Sequence, residues 1–276
     1  MRLGIDVAQH QLEWKELLSR VRFAEDAGFD GAWVFDHFTP LYGDRSGPCL
    51  EGWSLLAALA AVTERIRLGA LVTGITYRHP SVLTAQAVSV DHVSGGRLEL
   101  GVGAAWFEEE HRRLGIDFPA TPERARRLEE AVQVMRLLMT EDRASFAGRH
   151  YRLDGATYHP RPVQRPHPPL WIGARGEQLM LPIVGRRADV WHAWGSPADL
   201  ERKWRIVERA AEGAGRDPSS ILKASGLSIS ETWDEVRSRA EALRAAGFEY
   251  LTVSWPEAGR GRVEEFLAQV GASLTD

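Results

Sequence analysis

Four segments of the chain carry side chains that could do chemistry, and each lies at the end of a short apolar run. The first run ends in Asp36 and His37. An acid beside a histidine could orient a ring, donate a proton or bind a metal. An acid at this position could equally cap the following loop, with the histidine exposed by chance. The position alone supports both interpretations.

The next two run ends carry small residues and few reactive ones. One reads Leu71-Val72-Thr73-Gly74, a pattern that favours a strand running into a turn. The other contains Gly103 and Ala104, where a planar ligand could approach the backbone closely. The acidic residues Glu108–Glu110 that follow are typical of the solvated first turn of a helix, and His111 does not have a metal-ligand spacing.

The fourth run end is Gly173-Ala174-Arg175-Gly176, placed before a helix expected over residues 177–186. Free amides at a helix N-terminus, with small residues and an arginine, form a plausible phosphate cradle. Turn geometry alone would also explain these glycines.

The unusual feature of the composition is its tryptophan content, with ten tryptophans in 276 residues. Trp106, Trp194 and Trp255 fall at or after run ends, where clustered aromatic rings suit a flat apolar ligand. Strand-interior tryptophans are instead expected to pack in the core; these are Trp33, Trp171 and Trp191.

Eight apolar runs alternate with helical segments and must position these groups. The runs are Leu3–Val7, Gly31–Phe35, Ile66–Thr73, Leu98–Val102, Leu170–Ile172, Val190–Trp194, Ile221–Ile229 and Tyr250–Trp255. Continuous apolarity is typical of parallel strands covered by helices. Helix starts are predicted at Thr121-Pro122 and Ser196-Pro197, and helix-ending glycines at Gly28 and Gly247.

This alternation is compatible with a closed (β/α)8 barrel or an open doubly wound sheet. The N-terminal run, Leu3–Val7, is not followed by a glycine-rich dinucleotide loop. Its absence there favours an α/β fold of the TIM-barrel type. We expect a single domain over residues 1–276, with a long excursion over residues 141–169 between the fourth helix and the fifth strand. In such a barrel the active site lies at the carboxyl ends of the strands.

The composition narrows the function classes. A net charge of −4 gives no electrostatic reason to expect nucleic acid or an anionic membrane. The one cysteine, Cys49, cannot form an internal disulfide, and the scattered histidines do not predict a metal site. The N-terminal residues do not resemble an export signal, so a cytoplasmic protein is expected. A hydrolase nucleophile motif is missing too, which favours chemistry done by a bound organic cofactor.

The same residues resemble the bacterial luciferase-like superfamily, and within it the deazaflavin (coenzyme F420)-dependent oxidoreductases. The resemblance covers nearly the whole chain and rests on four segments: Trp33–His37, Leu68–Pro80, Ser94–Ala104 and Pro168–Gly173.

The resemblance implies a (β/α)8 barrel whose mouth holds a tricyclic ring against a bulge at the end of the third strand. That bulge would contain a cis peptide without proline, at Leu71–Val72 or Val72–Thr73. The cofactor contacts that it implies are Asp36, Leu71, Val72, Thr73, Gly103, Ala104, Gly173, Ala174, Arg175 and Gly176. His37 would supply a proton, and Asp36 would orient it or the ring. Trp106 stands where some relatives carry an acid.

The leading hypothesis is therefore hydride transfer between coenzyme F420 and a small organic substrate. The residues expected to hold that substrate are Phe38, Trp106, Trp194 and Trp255. An FMN-dependent monooxygenase, a cofactor-binding protein without turnover and a metal-independent isomerase of phosphorylated substrates remain open as alternatives. A homodimer is expected from the resemblance alone.

Overall fold

The computed structural model describes residues 1–275, which form eleven strands and ten α-helices. The strands are β1 Arg2–Asp6, β2 Gly31–Val34, β3 Arg67–Ala70, β4 Thr73–Gly74, β5 Leu98–Gly103, β6 Ala144–Ala147, β7 Arg152–Ala156, β8 Leu170–Gly173, β9 Val190–Ala193, β10 Leu222–Leu227 and β11 Tyr250–Ser254. Each of the eight predicted apolar runs overlaps at least one of these strands.

The helices fill the connections between the strands. They are α1 Trp14–Asp26, α2 Gly52–Val62, α3 Pro80–Val93, α4 Glu108–Leu114, α5 Thr121–Thr140, α6 Met180–Arg187, α7 Pro197–Gly213, α8 Trp233–Ala245, α9 Arg260–Phe266 and α10 Ala272–Thr275. Ser196 caps α7 as predicted, through a 3.3 Å bond to the amide of Asp199. The predicted cap at Thr121 is wrong, because α5 already begins at Thr121 and Ala120 is the cap residue.

The main sheet closes on itself as a parallel barrel. Its strand order is β3-β2-β1-β11-β10-β9-β8-β5-β4, and β3 also pairs with β5 to complete the circle. The first and last strands of the chain lie side by side, in register from Arg2 opposite Tyr250 to Asp6 opposite Ser254. The predicted (β/α)8 barrel is therefore confirmed, and all eight strand positions end at the same mouth.

The third strand position is interrupted where the bulge was expected. The peptide between Leu71 and Val72 is cis, and it separates β3 from the two-residue strand β4. Of the two positions that the resemblance left open, the structure has the first. Thr73 then rejoins the barrel by pairing with Val102 of β5.

The excursion between α5 and β8 is an antiparallel hairpin made of β6 and β7. The carboxylate of Glu130 on α5 holds the hairpin turn, where it accepts hydrogen bonds from the amides of Arg149, His150 and Tyr151. The long segment predicted to be ordered thus forms a hairpin that is held against α5 on the outside of the barrel.

Large aromatic side chains fill the barrel interior at the end opposite the mouth. Trp33, Trp171 and Tyr250 are almost completely buried and pack against one another, with Trp33 Nε1 donating to the Tyr250 hydroxyl at 3.1 Å. A Cβ atom at Gly4 or Gly31 would collide with that hydroxyl. Since this end is full, an open cavity can exist only at the carboxyl ends of the strands.

Candidate active site

The mouth of the barrel holds a cavity of about 740 Å³. That size suits a ligand as large as a tricyclic cofactor. The lining residues come from almost every strand end and are Asp6, Ala8, His10, Phe35, His37, Leu41, Tyr42, Leu71, Val72, Gly74, Tyr77, Gly103, Ala104, Ala105, Trp106, Thr121, Arg124, Gly173, Ala174, Arg175, Met180, Trp194, Ser254 and Trp255.

His37 lies on the cavity wall with its ring held by a buried carboxylate. Its Nδ1 atom is 2.9 Å from Oε2 of Glu110 and 3.2 Å from the Tyr77 hydroxyl. A carboxylate can only accept, so Nδ1 carries the proton of the neutral ring. The other ring nitrogen, Nε2, makes no hydrogen bond within residues 1–275 and is not sealed from the cavity. Its lone pair is therefore available to a ligand.

Glu110 is the residue that orients His37, and sequence reasoning missed it. The acidic run was expected to be solvated, and Glu108 is exposed, but Glu110 turns inward with its side chain fully buried. It accepts five hydrogen bonds, from His37, the Tyr77 hydroxyl at 2.6 Å, and the Phe38 amide and both the amide and hydroxyl of Thr39. The three acids look alike in sequence, so only the placement of α4 distinguishes them.

These hydrogen bonds keep Glu110 ionised. Burial alone would raise the pKa of Glu110, but the bonds from His37, Tyr77 and the Phe38 amide together lower it to about 2. The hydrogen bond between Tyr77 and Glu110 has the opposite effect on the pKa of Tyr77. Burial and the Glu110 carboxylate both raise the pKa of the Tyr77 hydroxyl. At neutral pH the Glu110 carboxylate is thus an anion and the Tyr77 phenol is neutral.

Asp36 does not reach the cavity, so it neither orients His37 nor contacts a ligand there. Its carboxylate is completely buried and ion-paired with Arg78, whose Nη2 lies 3.0 Å from Oδ1. Arg78 also contacts Glu51 at 3.1 Å. Burial raises the pKa of Asp36, and the Arg78 guanidinium opposes that rise. Asp36, which was expected to orient His37 or the ring, is in this structure the buried partner of Arg78 and not a residue of the cavity wall, and its ion pair secures the loop that carries His37.

Three of the four predicted substrate-binding aromatics line the cavity. Trp106 is 63% exposed and Trp194 is 37% exposed, which leaves their ring faces open, and Trp255 is half-buried. Phe38 is different, because it packs edge-on against the Tyr77 ring, with 5.1 Å between the centroids, and is not part of the wall. The prediction for Phe38 as a substrate contact is not supported by this placement.

One wall of the cavity is built from apolar side chains and bare backbone. Leu71 and Val72 supply it from the bulge, and Gly103 and Ala104 supply it from the end of β5. Thr73 points away, and its hydroxyl accepts a 2.9 Å hydrogen bond from Trp53 Nε1. Four of the five cofactor contacts predicted from these two segments thus line the cavity, where Val72 packs against Gly103.

The segment predicted to form a phosphate cradle differs from the expectation in two respects. The helix begins at Met180 instead of residue 177, and the Ala174 amide is already bonded to the carbonyl of His192 at 3.1 Å. Gly173, Ala174 and Arg175 line the cavity, whereas Gly176 does not. Within the described residues, the amides of Arg175 and Gly176 make no hydrogen bond. Arg175 is largely exposed, 4.0 Å from Asp199.

Two polar residues at the end of β1 also line the cavity, although the sequence did not single them out. Asp6 makes one hydrogen bond, to the Ala8 amide at 3.1 Å, and burial raises its pKa to about 6. His10 accepts from the Leu41 amide at 3.1 Å. Their position directly after a barrel strand was the available signal.

Residues 1–275 contain no group of three or more His, Cys, Asp or Glu side chains arranged to hold a metal ion. Within the same residues, no helix is long and apolar enough to span a membrane.

A closed parallel barrel with an apolar wall, aromatic rings and an oriented histidine at its mouth defines a TIM-barrel protein with a candidate ligand site at the carboxyl ends of its strands. Its family follows from the sequence, since residues 1–271 match the luciferase-like monooxygenase family. The chain belongs to that family.

Several relatives are named for their use of F420. The chain is 30% identical over 243 residues to an F420-dependent hydroxymycolic acid dehydrogenase of Mycobacterium tuberculosis, a match that covers 87% of this chain and 66% of that protein. It is 34% identical over 253 residues to an F420-dependent glucose-6-phosphate dehydrogenase of Kineococcus radiotolerans, covering 90% and 72%. The chain thus spans about two thirds of the length of these relatives.

Solved structures share the whole fold. An F420-dependent secondary alcohol dehydrogenase in complex with an F420-acetone adduct superposes with a TM-score of 0.87 at 20% identity, covering 100% of this chain and 99% of that one. The F420-dependent tetrahydromethanopterin reductase of Methanopyrus kandleri gives a TM-score of 0.85 at 19% identity, covering 99% of both. At these identities the likeness shows the fold alone.

Proposed function

We propose that the chain is an F420-dependent oxidoreductase that transfers a hydride between the cofactor and a small organic substrate. The observation that carries the proposal is the arrangement of His37, whose Nδ1 is held by the Glu110 carboxylate while Nε2 stays free on the cavity wall. Oxidation of an alcohol releases a hydride from carbon and a proton from oxygen. His37 Nε2 is the group of the site that can accept this proton.

The cavity also fits the cofactor. Its volume of about 740 Å³ and the apolar wall made by Leu71, Val72, Gly103 and Ala104 suit a tricyclic ring. The Arg175 amide, which makes no hydrogen bond within the described residues, and the Arg175 guanidinium lie at the cavity and suit an anionic phosphate group. When bound, F420 supplies the carbon that accepts or gives up the hydride. Relatives in the same family that are named as F420-dependent enzymes support this choice.

The residues of the chain would divide the work as follows. His37 Nε2 accepts the hydroxyl proton when an alcohol is oxidised and returns it when a carbonyl is reduced. Glu110 stabilises the imidazolium that forms, because its charge lies 2.9 Å from Nδ1. The aromatic rings of Trp106, Trp194 and Trp255 hold an apolar substrate and exclude water.

Two titrations test this proposal. Purified protein is titrated with F420 and with FMN, and binding is followed by fluorescence quenching. Micromolar binding of F420 and none of FMN is expected, and the reverse would favour an FMN-dependent monooxygenase. His37→Ala should bind F420 as the wild type does and lose turnover at least tenfold. Unchanged turnover would show that His37 is structural.

A further inference from the structure

His10 is a polar group on the cavity wall that the proposed reaction does not use. Its Nδ1 atom accepts the hydrogen bond from the Leu41 amide at 3.1 Å, so Nδ1 carries no proton. The proton of the neutral ring must then sit on Nε2. That atom makes no hydrogen bond within residues 1–275 and is not sealed from the cavity. His10 therefore presents an unused N–H donor.

The ring of His10 is held in one orientation. It packs against Phe35, with 4.4 Å between the ring centroids, and edge-on against Tyr42 at 5.5 Å. Its backbone pairs with Cys49, and the preceding Gln9 side chain bonds to Phe35 and to the carbonyl of Leu50. A donor fixed in this way is preorganised for an acceptor on a ligand.

The ring is also kept uncharged at neutral pH. Burial, and next the repulsion that His37 would exert when protonated, lower the pKa of His10 to about 4. A neutral donor suits a neutral oxygen acceptor such as a hydroxyl or a carbonyl group.

The surroundings of His10 are unfavourable for an anion. Among the described residues that line the cavity, only Arg124 and Arg175 carry a permanent positive charge. Arg124 is already committed, since its Nε donates to the Ala104 carbonyl at 3.0 Å and its guanidinium stacks on Phe118 at 3.9 Å. Asp6, four residues before His10 in the chain, adds a carboxyl group to the cavity wall.

We infer that the substrate is a neutral, largely apolar alcohol or ketone whose oxygen accepts a hydrogen bond from His10 Nε2. This inference rests on the proposed function and names its substrate class. The oxygen binds between a donor and the proton-exchanging His37, and the carbon skeleton lies against Phe35 and Tyr42. A phosphorylated substrate is disfavoured because the described lining includes the Asp6 carboxyl group and only two permanent cations, of which Arg124 is already committed.

Two substitutions of His10 distinguish the contribution of its Nδ1 acceptor from that of its Nε2 donor. His10→Asn keeps an acceptor near Nδ1 for the Leu41 amide and removes the Nε2 donor. His10→Gln keeps an N–H donor near Nε2. With F420-loaded protein and cyclohexanol as the substrate, we expect His10→Asn to lower kcat/KM roughly tenfold through KM, as the loss of one ligand hydrogen bond predicts. His10→Gln should stay within about threefold of the wild type.

A readout without turnover keeps this test separate from the proposed reaction. Long-range ¹H–¹⁵N spectra of histidine-labelled protein, assigned with the two variants, should show His10 protonated on Nε2 at pH 7. Cyclohexanone should shift that signal, and glucose 6-phosphate at the same concentration should not. If F420 does not bind, the proposed function fails, but the cyclohexanone shift still tests the contact.

Three results would overturn the inference. One is an Nδ1-protonated His10. Another is a His10 signal that moves with F420 alone and not with cyclohexanone, which would assign the donor to the cofactor. The third is a kcat/KM higher for glucose 6-phosphate than for cyclohexanol, since that would require a cation, and of the two permanent cations in the described lining Arg124 is already committed.

Discussion

Replacing Glu110 by glutamine is the most informative perturbation of the site. The substitution keeps the shape of a fully buried side chain and removes a charge that accepts five hydrogen bonds. A carboxyl group whose pKa falls from 4.5 to about 2 on folding contributes roughly 3 kcal/mol to the free energy of unfolding. Glu110→Gln should lose that contribution at pH 7.

The pH dependence gives the sign of the effect. Because the folded-state pKa of Glu110 is lower than the unfolded one, the stabilisation is complete above about pH 4.5 and is lost as the pH falls toward 2. The difference between the wild type and Glu110→Gln should therefore shrink from about 3 kcal/mol at pH 7 to about 2 kcal/mol at pH 3.5. Turnover with F420 should fall more than tenfold, since His37 loses its orienting anion.

Urea unfolding followed by tryptophan fluorescence at the two pH values measures this difference. Glu109→Gln is the matched control, because Glu109 precedes Glu110 and makes only an exposed pair with Arg113 at 2.6 Å. That control should change the free energy of unfolding by less than about 0.5 kcal/mol. A Glu110→Gln protein as stable as the control at pH 7, or a difference that grows on acidification, would refute the reasoning.

Three further predictions concern the supports of the site. Arg78→Met leaves the buried Asp36 carboxylate unpaired and should lower the free energy of unfolding by about 3–5 kcal/mol in urea, and adding Asp36→Asn should restore part of the loss. Gly103→Ala places a Cβ 2.7 Å from a valine methyl group in the apolar wall and should weaken F420 binding roughly tenfold by fluorescence quenching, whereas Gly213→Ala, with nothing within 4 Å, should not. Asp6 has its pKa raised to about 6, so its charge costs stability as the pH rises through 6; Asp6→Asn should match the wild type near pH 4 and exceed it by up to about 3 kcal/mol at pH 8, and equal curves would contradict this.

The barrel could be predicted from the sequence because the positions of its strands and helix ends are visible as local patterns of residues. Each parallel strand is buried on both faces and so reads as an apolar run, and the left-handed glycines at Gly28 and Gly247 mark two helix ends. The resemblance then limited the cis peptide of the bulge to Leu71–Val72 or Val72–Thr73, and the structure has the first, whereas periodicity alone predicted a continuous strand there.

The partner of His37 could not be predicted in this way. Glu110 lies 73 residues further along the chain, on a short helix whose orientation depends on the packing of the loop after β5. The same is true of Arg78, which lies 42 residues from Asp36 and turns a candidate catalytic acid into half of a buried ion pair. Contacts of this range are decided by tertiary packing, and the residue types alone were compatible with several pairings.

One rule available from the sequence would nevertheless have sorted the residues beside the mouth. Side chains of a regular extended segment alternate between its two faces, so adjacent residues there point to opposite sides, whereas bulges and loops such as Leu71–Val72 can bring two neighbours to one cavity. Phe35 and His37 line the cavity, and Asp36 between them faces the helices. Val72 and Gly74 line it as well, and Thr73 between them bonds to Trp53 instead. An acid next to a histidine at a strand end is thus a poor candidate for its partner, and the partner must come from another loop, as Glu110 does.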